Sequence, residues 1–141
     1  MPKSGPLKIK VQLFCGPDTA FGPGKADLLE AIEREGSISA AGRAMGMSYR
    51  RTWLLVDTMN RCWTEPLVKA VAGGGAQKGA RLTATGQQVL AAYRALDADL
   101  ARCAKASAAL QTLSALLLDQ PHAAQTEVAD EDQAPDHGPL G

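Results

Sequence analysis

Aromatic side chains are scarce in this 141-residue chain, which has two Trp, two Tyr and two Phe, 4% of the total. Alanine is abundant from Ala40 onward, a composition that suits closely packed helices better than a large β-sandwich. Cysteine is sparse as well. Cys15, Cys62 and Cys103 are odd in number, far apart and without a CxxC pair. That argues against a disulfide framework or a zinc site and fits reduced thiols. Long apolar runs are missing: stretches such as Ala115–Leu118 fall far short of the ~20 residues of a membrane span. No apolar segment follows Met1-Pro2-Lys3-Ser4-Gly5, and Lys8 and Lys10 interrupt the first hydrophobic stretch. No signal peptide and no membrane partner are therefore expected, and the location expected is cytoplasmic.

Net charge is also lacking. Fifteen basic residues balance fifteen acidic ones, and the pI is about 6.7. Taken alone, that balance speaks against a nucleic-acid binder, whose usual mark is a basic excess. The average hides a division. Residues 1–94 hold 13 basic and 7 acidic groups, a net +6, and residues 95–141 hold 2 basic and 8 acidic, a net −6. The whole basic excess lies between Gly36 and Arg94, with 8 basic and 2 acidic groups. A basic working part and an acidic tail are the expectation.

Local patterns outline the elements. Leu7 to Leu13 alternates apolar and polar, which predicts a strand. A Gly/Pro loop follows, and from Lys25 a helix with Leu28, Leu29 and Ile32 on one face, ended by Gly36. Ser37 or Ser39 can cap a second helix running to Gly46, and Ser48 a third from Tyr49 to about Arg61. Two helices joined by a short glycine-bearing turn read as a helix-turn-helix. Leu67–Val71 and Arg81-Leu82 frame a hairpin with a glycine-rich basic tip. Thr83 caps a last helix whose apolar positions Val89, Tyr93, Leu96, Leu100, Cys103, Leu110 and Leu117 step like heptads and predict continuity from about 83 to 118. The domain expected is residues 1–118, mainly α with a small β wing: a winged helix-turn-helix with a long C-terminal dimerisation helix. Residues 119–141 read as an acidic disordered tail.

In a winged helix the third helix enters the major groove and the hairpin touches the backbone or minor groove. Steps of 100° group Tyr49, Trp53, Val56 and Asn60 on one side, read as the core side. The opposite side then carries Arg51, Leu54, Leu55 and Thr58, with Arg50 on its flank. Arginine there can reach guanine O6/N7 or a phosphate, and the leucines thymine methyl groups. Lys69, Lys78 and Arg81 are the candidate phosphate contacts of the hairpin. The seam on the last helix points to a homodimer. A P-loop is excluded because Lys78 precedes Gly79, whereas the motif needs Gly-Lys-Ser/Thr. His122 and His137 lie in the acidic stretch, and no cysteine has a histidine near it in sequence. Asp130, Glu131, Asp132, Asp136 and His137 read as solubilising charge. Neither an enzyme nor a metal site is expected.

Gly36-Ser37-Ile38-Ser39-Ala40-Ala41, then Met45-Gly46-Met47-Ser48-Tyr49-Arg50-Arg51-Thr52-Trp53, Asp57 and Met59-Asn60 resemble the DNA-binding domain of the molybdate-responsive ModE-type transcriptional regulators. Leu67-Val68, Gly73-Gly74-Gly75, Gly79-Ala80 and Leu82-Thr83-Ala84-Thr85-Gly86 continue the likeness, which covers roughly Leu7 to Leu118. The Gly36–Ala41 segment alone also suits the distantly similar LysR-type regulators. The resemblance implies a homodimeric winged-helix protein on double-stranded DNA at operators of molybdate-related genes. DNA contact falls on Ser48, Tyr49, Arg50 and Arg51, with Leu54 and Leu55 beside them, and on Lys69, Lys78 and Arg81. Dimerisation falls on the first and last helices, through Leu28, Ile32, Val89, Tyr93, Leu96, Leu100, Leu110 and Leu117. Full-length members sense molybdate with C-terminal β-barrel domains, and an acidic stretch of about 23 residues stands here instead. Direct sensing and a bound cofactor are therefore not expected. The choices left are regulation without ligand, a separate molybdate-binding protein, or a weak anion site at a helix N-terminus. Two other classes of function stay open: a small oxyanion-binding protein, and a protein-interaction adaptor using the same fold.

Overall fold

The computed structural model describes the backbone of residues 3–72 and 78–124. The expected hairpin tip, residues 73–77, most of the expected acidic tail, residues 125–141, and the side chains of Lys3, Ser4 and Lys78 lie outside the described residues.

Two small hairpins come first. β1 (Lys3–Ser4) pairs antiparallel with β2 (Leu7–Lys8), and β3 (Leu13–Cys15) with β4 (Asp18–Phe21). The single strand expected from Leu7 to Leu13 survives only at its ends. Between them the chain is held by a helix side chain instead of a neighbouring strand: the Tyr93 hydroxyl donates to the Val11 carbonyl at 2.7 Å. The loop expected after Leu13 contains β4.

α1 (Pro23–Glu35) begins with proline in its first turn, where the N–H that proline lacks has no intrahelical acceptor. Ala26, Leu28, Leu29, Ala31 and Ile32 are its buried face. α2 (Ile38–Ala44) starts at Ser37, whose hydroxyl accepts from the Ala40 N–H at 3.0 Å. α3 (Tyr49–Arg61) starts at Ser48, whose hydroxyl accepts from the Arg51 N–H at 3.1 Å. The turn between them needs the left-handed backbone of Gly46, at φ 71°. The two helices meet closely at Gly42, where a Cβ would stand 2.2 Å from the buried Thr52 hydroxyl.

β5 (Val68–Ala72) and β6 (Lys78–Leu82) form the third antiparallel hairpin, in unbroken register from Val68–Leu82 to Ala72–Lys78. Val68, Ala80 and Leu82 are its buried side. α4 (Ala84–Lys105) is capped by Thr83, whose hydroxyl accepts from the Gly86 N–H at 2.9 Å. The helix expected to continue to residue 118 stops there. Ser107 is extended, at φ −81° and ψ 122°, and its hydroxyl caps a separate α5 (Ala108–Leu116) by accepting from the Leu110 N–H at 3.2 Å. Serine offers the backbone this local alternative to a continuous helix.

The architecture is thus mainly helical with small antiparallel pairs, consistent with a winged helix. Phe21 lies at its centre, edge-on to Tyr93 at 5.0 Å and to Trp63 at 6.1 Å. This core claims residues expected at an interface between copies. Leu28 and Ile32 are fully buried, Tyr93 is 3% exposed, and Val89 packs against the same cluster. Their apolar surface is consumed within the chain. Leu96 and Leu117 stay exposed, and Leu100 and Leu110 half-buried. No helix among the described residues is long and apolar enough to cross a membrane.

The start of α4 packs onto the strand before it without clearance. A Cβ at Gly86 would meet the Leu67 carbonyl oxygen at 2.1 Å, whereas one at Gly24 would have nothing within 4 Å. Backbone cannot swing aside as a side chain can. Gly86→Ala is expected to cost about 1–3 kcal/mol in urea unfolding, and Gly24→Ala to be close to neutral.

Candidate nucleic-acid interface

α3 turns its faces differently from the sequence expectation. Its buried side is Thr52, Val56 and Met59, and Trp53, read as core, is 44% exposed. The cause is the close approach at Gly42, which seals Thr52 and rotates the tryptophan outward. Steps of 100° then centre the open face on Arg50, Leu54 and Arg61. Leu54 is 53% exposed, and Leu55 is half-buried against the core, so one leucine of the expected pair remains on the open face. Tyr49, Arg50 and Arg51 are all exposed, as is their cap residue Ser48.

The two flanks of α3 border different neighbours. On one side Tyr49 and Trp53, together with Ser39 and Arg43 of α2 and Ala70 and Gly79 of the hairpin, line a groove of about 620 Å³. The Arg43 guanidinium donates to the Ser39 hydroxyl at 3.0 Å there. Sequence reasoning did not include Ser39, Arg43 or Trp53 among the site residues. The sign available was that a serine and an arginine four apart in the helix before α3 share one face. On the other flank Arg51 and Leu55 line a smaller cavity with the first turn of α1.

The hairpin is fixed to this helical body by polar bonds. The Asn60 side chain, at the end of α3, accepts from the Leu67 and Val68 N–H groups at 2.9 and 3.0 Å and donates to the Val68 carbonyl at 3.2 Å. The return strand is tied to the end of α1: the Ala80 N–H donates to the Gly36 carbonyl at 2.8 Å, and the Leu82 N–H to the Glu33 carboxylate at 3.0 Å. In that frame Lys69 and Arg81, both exposed, stand directly opposite each other across the ladder. Like charges in that relation destabilise a hairpin. Lys78 enters β6 opposite Ala72, its side chain outside the described residues.

Charge pairing separates two sets of cations. Arg34, Arg61, Arg94 and Arg102 each bond a carboxylate, Arg94 reaching both Asp27 and Glu30 across α1 and α4. The bonds to Glu30 and Asp27 raise the Arg94 pKa, and Asp57 does the same for Arg61. Among the described residues Arg43, Arg50, Arg51, Lys69 and Arg81 have no such partner. All five stand on the helix-turn-helix or the hairpin. Burial and the neighbouring Cys15 push the Cys62 thiol up, which disfavours the reactive thiolate. Among the described residues no three His, Cys, Asp or Glu side chains are grouped to hold a metal ion.

The Asn60 fork sets the spacing between α3 and the hairpin. Asn60→Ala leaves two N–H donors without an acceptor and is expected to lower stability by about 1–3 kcal/mol. Asn60→Asp keeps the acceptor and should lose less. Thermal unfolding of the two variants side by side checks this.

Curated proteins share this region. The chain is 48% identical over 79 residues to the Azotobacter vinelandii protein named molybdenum transport protein ModE. It is 46% identical over 82 residues to the Rhodobacter capsulatus molybdenum-pterin-binding protein MopB. With the Escherichia coli DNA-binding transcriptional dual regulator ModE it shares 33% over 87 residues. The matches cover 56%, 58% and 62% of this chain, and 29%, 30% and 31% of those proteins. The chain therefore carries a ModE-like region over a little more than half its length and spans about 30% of the length of these relatives. No family model matches the chain.

Proposed function

We propose that this ModE-like region makes the chain a sequence-specific, double-stranded-DNA-binding transcriptional regulator of molybdenum-related genes, acting as a cytoplasmic homodimer and not as an enzyme. The observation that carries the reading is the set of cations without a carboxylate partner among the described residues, Arg43, Arg50, Arg51, Lys69 and Arg81, gathered on α2, α3 and the hairpin, while Arg34, Arg94 and Arg102 elsewhere are bonded to carboxylates. A polyanion relieves the repulsion between Lys69 and Arg81, and release of its counterions drives binding. The regulator name of the E. coli relative and the molybdenum in the names of the Azotobacter and Rhodobacter relatives support the choice of partner and genes.

Roles follow from position. Arg50 and Leu54, at the centre of the open face, read bases. Tyr49 and Trp53 fill the flank toward the hairpin. Ser39, Arg43, Lys69 and Arg81 hold phosphates. The dimer draws on apolar surface the chain leaves uncovered: Leu13 and Phe14 of β3, Leu96 of α4, and Leu113, Leu116, Leu117 and Leu118 at and beyond the end of α5, all exposed. Two half-sites about one helical turn apart would match such a dimer.

Selection of bound duplexes from a random pool, repeated with and without molybdate, tests the whole reading. A recovered two-fold site supports it, and recovery of no preferred sequence overturns it. Tight molybdate binding without DNA binding would favour the activity named for the molybdenum-pterin-binding relative. Arg50→Ala is expected to remove about 1–3 kcal/mol of discrimination between the selected site and a scrambled one, with non-specific binding largely kept in mobility-shift titrations. Leu96→Glu is expected to shift the chain from dimer to monomer in sedimentation velocity at micromolar concentration.

A further inference from the structure

The flank of α3 away from the hairpin holds a second group of cations. Lys10 precedes β3, Lys25 sits in the first turn of α1, and Arg51 is on α3, yet all three line one cavity of about 220 Å³. That is space for roughly seven waters. No carboxylate lines it, and none of the three cations makes an ion pair among the described residues. Met45, Met47 and Leu55 line one part of it, and the backbone of Gly22 and Gly24 another. Gly22 precedes α1 without a side-chain cap, and nothing lies within 4 Å of where a Cβ at Gly24 would be. Three like charges from three segments, brought together over unfilled space, repel one another unless an anion joins them.

We propose that this cleft is a binding site for a tetrahedral oxyanion, and that its occupant is a backbone phosphate of the duplex gripped by α3. The source of the anion rests on the DNA-binding reading above; the existence of the site does not. The recognition helix is then held from both sides, by Arg43 and the hairpin on one strand of phosphates and by Lys10, Lys25 and Arg51 on the other. Of the two roles open to an arginine on α3, guanine or phosphate, this gives Arg51 the phosphate. Its side chain borders the cleft, 100° of helix away from Arg50 and the open face. Burial holds the Lys25 ammonium below its usual range, the Arg51 guanidinium adds to this, and Cys62 and Asp18 oppose it. An anion in the cleft would restore the charged form.

The test uses the full chain with two probes. The first is the selected duplex, titrated against K10Q/K25Q in mobility-shift assays at several salt concentrations. The expected result is weaker binding at every sequence alike and a salt slope shallower by about two. Lys25→Arg, which keeps the charge, should keep the wild-type slope. The second is inorganic phosphate without DNA, followed by the amide resonances of Gly24 and Lys25, which should move in the wild type and stay in the double variant. The thermal midpoint at low salt separates a ligand site from a structural one: relieving repulsion should leave it unchanged or raise it, and a clear fall overturns the proposal. Unchanged duplex affinity and slope in the double variant, with the wild type binding DNA, overturn the phosphate contact and leave the proposed function standing. A wild type that binds no duplex overturns the function instead. The phosphate resonances then decide the site alone: movement supports an oxyanion site fed by free anion, and none overturns it.

Discussion

The architecture hangs on one amide. Asn60 closes the last turn of α3 and bonds both backbone directions of the first residues of the hairpin. A two-stranded hairpin of five residues a side is not stable alone in water. Here its position is set by directed bonds at both strands, Asn60 on the outgoing one and Gly36 and Glu33 on the returning one. Apolar burial of Val68, Ala80 and Leu82 adds stability but little direction. The distance between α3 and the hairpin is the quantity a duplex would measure, and it is fixed by hydrogen-bond geometry.

That frame accounts for where the unpaired charge is tolerated. On the α1–α4 side, Asp27 and Glu30 meet Arg94, so two helices are stitched together with their charge cancelled. These exposed pairs contribute little to stability singly, but they leave no field there to attract a polyanion. On the other side Lys69 opposes Arg81, and Lys10, Lys25 and Arg51 border one cleft, with no carboxylate bonded to any of them among the described residues. The cost of that repulsion is borne by the core around Phe21. A chain of zero net charge thus keeps most of its unpaired arginines and lysines, among the described residues, around α3.

Features with a local chemical cause were legible in the sequence. Ser48, Tyr49–Arg61, the stop at Gly36 and the glycine turn at Gly46 follow from capping and backbone preference, and each stands where expected. The misread features depend on contacts distant in sequence. The rotation of α3 comes from Gly42 admitting Thr52, which no period within α3 reveals. The Leu7–Leu13 alternation is real, yet Tyr93, more than eighty residues away, takes the acceptor a strand partner would need. Leu28 and Ile32 were apolar in the right pattern for either a core or an interface, and only the tertiary packing chose. The break at Ser107 was visible as a polar residue on the seam, but a seam does not say whether a serine weakens a helix or starts the next one.

Two kinds of surface are thereby kept apart. These cations lie on α2, α3, the hairpin, the first turn of α1 and at Lys10 before β3, and the exposed leucines other than Leu13 of β3 and Leu54 of α3 lie on α4, α5 and the residues after them. α5 has no buried residue of its own, yet three of its nine residues are leucine. An isolated nine-residue helix is marginal in water, so its apolar side is best explained by burial against a partner. If that partner is a second copy, dimerisation would use a face that none of the unpaired cations of α2, α3 and the hairpin occupies. Each face could then be weakened separately, by charge on one and by polarity on the other, because the cations and the apolar residues proposed for the dimer, on β3, α4, α5 and beyond it, share no element.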